Sequence, residues 1–404
     1  MTKEIQYRKW FLSALFSLIF VAIYGTLMRY KIAFNFPFFE QKNLLHAHSH
    51  FAFSGWISQF IYTGLVSILS AHITMIRRKK YDILLLCNLL VAYGMLVAFT
   101  IQGYKAISIT FSTLSIVIAI VFTYFFIKDS TYAIKKHPAK NWAIAALILN
   151  LVSSFGPFSL AYMMASKNIE HSMYLGSIYY YLHFQYNGWF FFGCMALIAL
   201  PLYQSIQNLN NYFWLFALTV IPTFFLSILW VKLPLWLYVI TIIASIIQLF
   251  AWLSLLRKIY SAKKSILKTN VLTQTTIFFI AATLALTIKF LLQTISVIPS
   301  LSQLVFGIRS IVIAYLHLVL LGVYSSFIIG YLFSNEILKQ NKVAKLGAYL
   351  FLIGVILNEL FLATQGFAAF SYVSIGYINE MLFITAVVLL LSVIILVQSQ
   401  FKRN

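Results

Sequence analysis

The chain has 404 residues, of which 62% are hydrophobic and only 9% charged, against a formal net charge of +21. No water-soluble domain of this size could cover so much apolar surface with so little polar surface, so lipid is the solvent for most of the chain. The positive charge has no basic soluble domain to sit in, which excludes a nucleic-acid partner.

Apolar runs of about 20 residues are long enough to cross a hydrocarbon core of about 30 Å as helices. In chain order they predict helices near 10–29, 46–70, 82–102, 106–127, 141–165, 178–201, 212–231, 235–256, 272–293, 309–333, 344–365 and 376–400. The expected fold is therefore all-α: an integral membrane bundle of about twelve transmembrane helices, a single domain over 1–404. Lys3, Arg8 and Lys9; Arg77, Arg78, Lys79 and Lys80; Lys128, Lys135, Lys136 and Lys140; Arg257, Lys258, Lys263, Lys264 and Lys268; Lys339, Lys342 and Lys345; Lys402 and Arg403 fall on alternate loops and ends. They make 21 of the 29 cations, a positive-inside bias that predicts cytoplasmic N- and C-termini in a plasma membrane, the inner one of a bacterium. The first helix runs too long for a signal-peptide core and stays attached.

No loop exceeds roughly fifteen residues, so any activity lies within the bilayer. No internal repeat is evident, and Cys87 and Cys194 read as packing residues inside helices. Gly156-Pro157 in helix five and Pro222 in helix seven predict kinks.

Ionisable residues inside a membrane are costly and usually functional. His72, His137 and His171 fall in loops. His46, His48 and His50 begin helix two, His183 stands five residues into helix six, and His317 eight residues into helix ten. With the N-terminus inside, all five occupy the outer third of the membrane. On an ideal α-helix His46 and His50 are about 40° apart, and Ser54 and Ser58 continue their stripe. His48 points the opposite way, above Ala52, Gly55 and Gln59, a narrow surface suited to a flat macrocycle. Either face offers an axial haem ligand. Alternatively, His46 and His50 with His183 suit a copper or zinc ion. Other polar residues at this level include Gln102, Tyr104, Gln185, Tyr186, Asn187, Gln293, Tyr315, Gln365 and Glu380. Arg309 and Lys289 are candidate cations for haem propionates, and Glu359 either carries protons or pairs with Lys289.

Histidines near the outer ends of helices two, six and ten of a twelve-helix chain resemble subunit I of the haem-copper oxidase superfamily. The stretch His46-Ala-His48-Ser-His50-Phe-Ala-Phe-Ser-Gly55 looks like the family's helix-two ligand segment, and Tyr315-Leu-His317 looks like its helix-ten segment with the second histidine kept. The resemblance implies that His317, opposite one of His46, His48 or His50, holds a low-spin haem. It departs elsewhere: Tyr315 stands where the family's first helix-ten histidine would be, helix seven has no histidine, and His183-Phe-Gln-Tyr-Asn-Gly188 is not the usual helix-six pattern. What it implies is a haem scaffold for electron transfer or for redox handling of nitric oxide or another diatomic gas, fed by an electron-donor subunit or cytochrome, without the standard oxygen-reducing binuclear centre. The same residues also admit a copper or zinc protein, or a proton-coupled secondary transporter working through Glu359, Lys289 and the break in helix five.

Overall fold

Lipid offers the backbone no hydrogen-bond partner, so each apolar run must close its own ladder. In the computed structural model every regular element among the described residues, 7–266, 273–301 and 308–401, is helical. Lys3, Lys268, Lys402 and Arg403, counted above toward the cytoplasmic charge, lie outside the described residues.

The helices are α1 (Arg8–Ala33), α2 (Gln41–Ser70), α3 (Met75–Gln102), α4 (Ala106–Ala133), α5 (Ala139–Ser166), α6 (His171–Ser205), α7 (Leu209–Thr219 with Pro222–Ile228), α8 (Leu235–Ile266), α9 (Gln274–Ile295), α10 (Arg309–Ser334), α11 (Lys342–Phe370) and α12 (Ile378–Phe401). Among the described residues eleven are long and apolar enough to cross a bilayer unaided, and α7 is a twelfth if its bent halves form one span. Several start earlier than hydropathy alone predicts. Helix α3 begins at Met75, so Arg77 to Lys80 ride on its first turns with their heads free to reach water. Helix α6 begins at His171, which therefore heads a helix instead of lying in a loop.

Outward faces confirm lipid as solvent. On α3, Ile83, Leu86, Leu90, Val97 and Ile101 recur at helical spacing and are all exposed, Ile101 by 77%, a stripe that would drive a water-soluble protein to aggregate.

Both predicted kinks are present. The ring of Pro157 conflicts with the carbonyl four residues back, and α5 breaks at Ser154 into Ala139–Ser153 and Phe155–Ser166. Gly156 lets α6 approach: a Cβ there would stand 2.5 Å from the Ser177 carbonyl oxygen. In α7, Pro222 turns the axis by 45° and the chain continues as a tight 3₁₀ segment.

The chain forms two compact units where one domain was expected. Unit 1 holds 1–122, 273–282 and 313–404, and unit 2 holds 123–272 and 283–312. In unit 1, α12 packs along α11 and α1, and α2 lies between α1 and α3. In unit 2, α5 packs on α6, and α7 on α8. An aromatic core of Trp142, Phe192, Phe213 and Phe216 fills unit 2.

Candidate functional site

Three helices change their hydrogen-bond register just after a histidine. Among the described residues, π-helical turns occupy Ala52–Ser58 in α2, Phe184–Phe190 in α6 and Leu318–Ser325 in α10. His50, His183 and His317 stand one or two residues before them, each five residues ahead of a glycine: Gly55, Gly188 and Gly322. The histidines are 133 and 134 residues apart. This is an internal repeat of His-x-x-x-x-Gly followed by a π-helix, and it corrects the expectation that the chain has none. Turns of i→i+5 hydrogen bonding are rare and concentrate at functional sites.

The π-turn in α2 also corrects the helical-wheel reading of that segment. Extra residues per turn rotate everything beyond Phe51, so the polar stripe of His46 and His50 does not run on through Ser54 and Ser58. Gln59, expected beneath His48, instead faces α3, where Asn88 Nδ2 donates to its Oε1 at 2.8 Å. Asn88 also donates to the Ser54 carbonyl oxygen, at 3.1 Å.

His48 faces α1. Its Nδ1 lies 3.0 Å from the Val21 carbonyl oxygen, and Gly25 leaves room for the ring, since a Cβ there would meet His48 Cε1 at 3.4 Å. His317 is held alike: its Nδ1 lies 2.8 Å from the Ile313 carbonyl oxygen. A carbonyl can only accept, so each Nδ1 carries the proton and each Nε2 keeps its lone pair. Neither Nε2 bonds to any described residue. Both rings lie within the electrostatic reach of Arg29 on α1, and that of His317 also feels His48. The Arg29 guanidinium makes no hydrogen bond or ion pair among the described residues.

Depth is matched as well. Trp56 Nε1 of α2 donates to Ser325 Oγ of α10 at 3.0 Å. Trp56 is eight residues beyond His48 and Ser325 eight beyond His317, so this bond ties the two π-turns together at the same offset, ~12 Å at most along either helix. Ser325 in turn donates to the Leu320 carbonyl oxygen five residues back, at 2.9 Å, one of the acceptors the π-turn exposes.

His46 and His50 face away from this pair, toward α3 and the turn after it. His50 stacks on Phe99 with centroids 4.5 Å apart, and its Nε2 lies 3.1 Å from the Tyr104 hydroxyl. His46 sits edge-on to Tyr104, centroids 4.8 Å apart, and its buried Nε2 has no partner.

His183 belongs to unit 2 and is 1% exposed. Its Nε2 lies 2.8 Å from the Val220 carbonyl oxygen, and Asn187 Nδ2 approaches its Nδ1 at 3.0 Å. One nitrogen donates and the other accepts, which leaves no lone pair for a metal. The arrangement ties α6 to α7 beside Pro222. Among the described residues no group of three or more His, Cys, Asp or Glu side chains is placed to hold a metal ion, so His46, His50 and His183 do not form the three-ligand set that spacing suggested.

Lys289, also buried in unit 2, donates to Gln293 Oε1 at 2.6 Å and lies 4.2 Å from the centre of the Phe290 ring. Gln293 Nε2 donates to Gln248 Oε1 at 2.9 Å, and Gln248 Nε2 to Thr223 Oγ1 at 3.3 Å. Every carbonyl in this chain points back toward the ammonium, so the polarity favours the cation. Glu359, in unit 1, accepts from Asn358 Nδ2 at 3.1 Å. Each half of the expected Lys289 and Glu359 pair thus has a partner within its own unit. Arg309 is exposed at the start of α10.

Arg29 escaped the sequence reading although a signal for it existed. Only two of the eight cations outside the assigned cytoplasmic segments are arginines, and Arg29 is the one in the apolar α1. No protein-family model matches the chain, and no curated protein matches it.

Proposed function

We propose that this chain is a membrane haem protein in which His48 and His317 bind a single low-spin haem, serving electron transfer or redox chemistry of a diatomic gas such as nitric oxide. One observation carries the reading: two imidazoles of unit 1, set at equal offsets from the Trp56 to Ser325 bond, both have Nδ1 fixed on a backbone carbonyl and Nε2 left open. That orientation is how protein-bound histidines present themselves to a metal, since the second hydrogen bond fixes the tautomer and raises ligand basicity.

The residues present fit the group. Val21 and Ile313 orient the ligands, Gly25 makes space beside His48, and the unpaired Arg29 guanidinium supplies a partner for a propionate. Among His46, His48 and His50, this favours His48, and it moves the propionate role from Arg309 to Arg29. Haem would supply one-electron chemistry, and with both axial positions filled by imidazole it has no free site for gas. With both nitrogens of His183 already engaged, the reading is of a haem-copper-oxidase-like scaffold without the copper centre. A redox partner, a donor subunit or cytochrome, follows from that role, and a bacterial inner membrane is the proposed location.

The test is an optical spectrum with a pyridine haemochrome assay on the full chain purified from a haem-sufficient host. Wild type is expected to show a Soret band and low-spin bands, which His48→Ala and His317→Ala each lose while remaining helical and monodisperse. His46→Ala and His50→Ala are expected to keep them. Wild-type protein with no extractable haem, or low-spin bands that survive loss of both His48 and His317, refutes the proposal.

A further inference from the structure

The other face of the helix-two histidine segment holds a second cluster. Gly103 ends α3 with φ +63°, in the left-handed region that favours glycine. A Cβ there would stand 2.3 Å from Asn43 Oδ1, so the chain can turn back over the start of α2 only with glycine at this position. Ser108 Oγ fixes the turn by donating to the Gly103 carbonyl oxygen at 2.6 Å. The turn sets Tyr104 against His46 and His50.

Three donor atoms converge there. The hydroxyl of Tyr104 and Nε2 of His50 are 3.1 Å apart, and the His46 ring packs edge-on to the same phenol. His46 Nε2 is shielded from solvent and has no hydrogen-bond partner. Burying an imidazole nitrogen without a partner costs about 1–3 kcal/mol, a penalty that a ligand removes. His46 and His50 are one helical turn apart, the spacing by which two histidines of one helix face share a metal ion. Phe99, stacked on His50, holds that ring in place.

We propose that His46, His50 and Tyr104 form a copper(II) site of two imidazole nitrogens and one phenolate oxygen, distinct from the haem ligands on the opposite face of α2. Copper(II) is the divalent ion whose tetragonal preference and affinity suit a mixed nitrogen and oxygen set. The ion replaces the hydrogen bond between Tyr104 and His50, and the phenol proton leaves to solvent, so binding releases protons. Tyr104 is 38% exposed, which gives the ion a way in from water. The opposing charge of Lys42, one turn before His46, sits on an exposed side chain and is screened.

The experiment titrates metal-free full chain in detergent with copper(II), following electron paramagnetic resonance and a phenolate-to-copper charge-transfer band. One equivalent is expected, with hyperfine structure from two nitrogens. His46→Ala and His50→Ala are expected to weaken binding at least 100-fold, and Tyr104→Phe about 10-fold with loss of the charge-transfer band. His48→Ala, which the haem reading requires, is expected to bind copper normally, so the two proposals fail separately. Absence of stoichiometric copper, or copper that remains in a His46→Ala, His50→Ala double variant, overturns the site.

Discussion

Replacing Ser325 with Ala tests whether the bond from Trp56 sets the match in depth between His48 and His317. The change strands the indole N–H of a side chain that is 1% exposed, with no other acceptor. In water-soluble cores such an orphan costs about 1–3 kcal/mol. Between membrane helices coupling energies are smaller, about 0.6 kcal/mol on average and about 1.7 at most, because the unfolded chain in lipid finds other partners. Since Trp56 is fully enclosed, the upper part of that range applies, about 1–1.7 kcal/mol. Trp56→Phe removes the orphan, so in its presence Ser325→Ala costs almost nothing. A double-mutant cycle, read from helical circular dichroism as denaturing detergent is added to mixed micelles, isolates the pair. The same preparations report haem retained per chain, expected to fall in Ser325→Ala. Coupling below about 0.3 kcal/mol, within the scatter of independent sites, together with unchanged haem content, would falsify the role of this bond.

Arg29→Gln keeps the helix but removes the guanidinium, and is expected to lower haem retention about 10-fold, measured by transfer of haem to a scavenging globin; losses of this size are usual when groups around a metal ligand are removed. Gly156→Leu forces a side chain into the Ser177 carbonyl oxygen 2.5 Å away and is expected to destabilise unit 2 by about 1–3 kcal/mol in the same detergent unfolding assay. Lys289→Met removes a buried charge that has only amide and aromatic company and is expected to be neutral or stabilising, whereas Gln293→Leu leaves that charge without its acceptor and is expected to cost about 3–5 kcal/mol. Equal losses in both unfolding curves would contradict the reading of Lys289 as a cation held by the Gln293 and Gln248 chain.

Hydropathy located the spans because hydrocarbon thickness and backbone satisfaction leave a chain this apolar few alternatives. Proline located the breaks in α5 and α7 for an equally local reason, a missing N–H and a ring in the path of a carbonyl. Site residues were legible as types but not as faces. His48 and His317 stood out because imidazoles are rare in lipid, yet the wheel that placed Gln59 beneath His48 assumed a constant 100° per residue. The π-turn at Ala52–Ser58 breaks that assumption. Its signal was present in the recurring His-x-x-x-x-Gly, which is too short to stand out until the helices show what it does. Tyr104 was visible only as a polar residue at the right level, because its return over α2 depends on the left-handed turn at Gly103.

The π-turns explain how a lipid-embedded helix can present a ligand and anchor it at once. A regular α-helix leaves no interior carbonyl for a neighbour, whereas the turn after His50 offers the Ser54 oxygen to Asn88 and the one after His317 offers the Leu320 oxygen to Ser325. The histidine then sits at the end of a rigid helical stretch whose next turn is bonded to its surroundings. Removing a single residue from Ala52–Ser58 is expected to restore α-helical register and turn the rest of α2 by about 100° relative to His48. That rotation would take Trp56 away from Ser325 and Gln59 away from Asn88 together, while leaving His46, His50 and Tyr104, all on the near side of the turn, in contact. Such a deletion should therefore lose haem and keep copper. Protein that retains both, or that loses copper first, would mean that the π-turn does not set the histidine geometry.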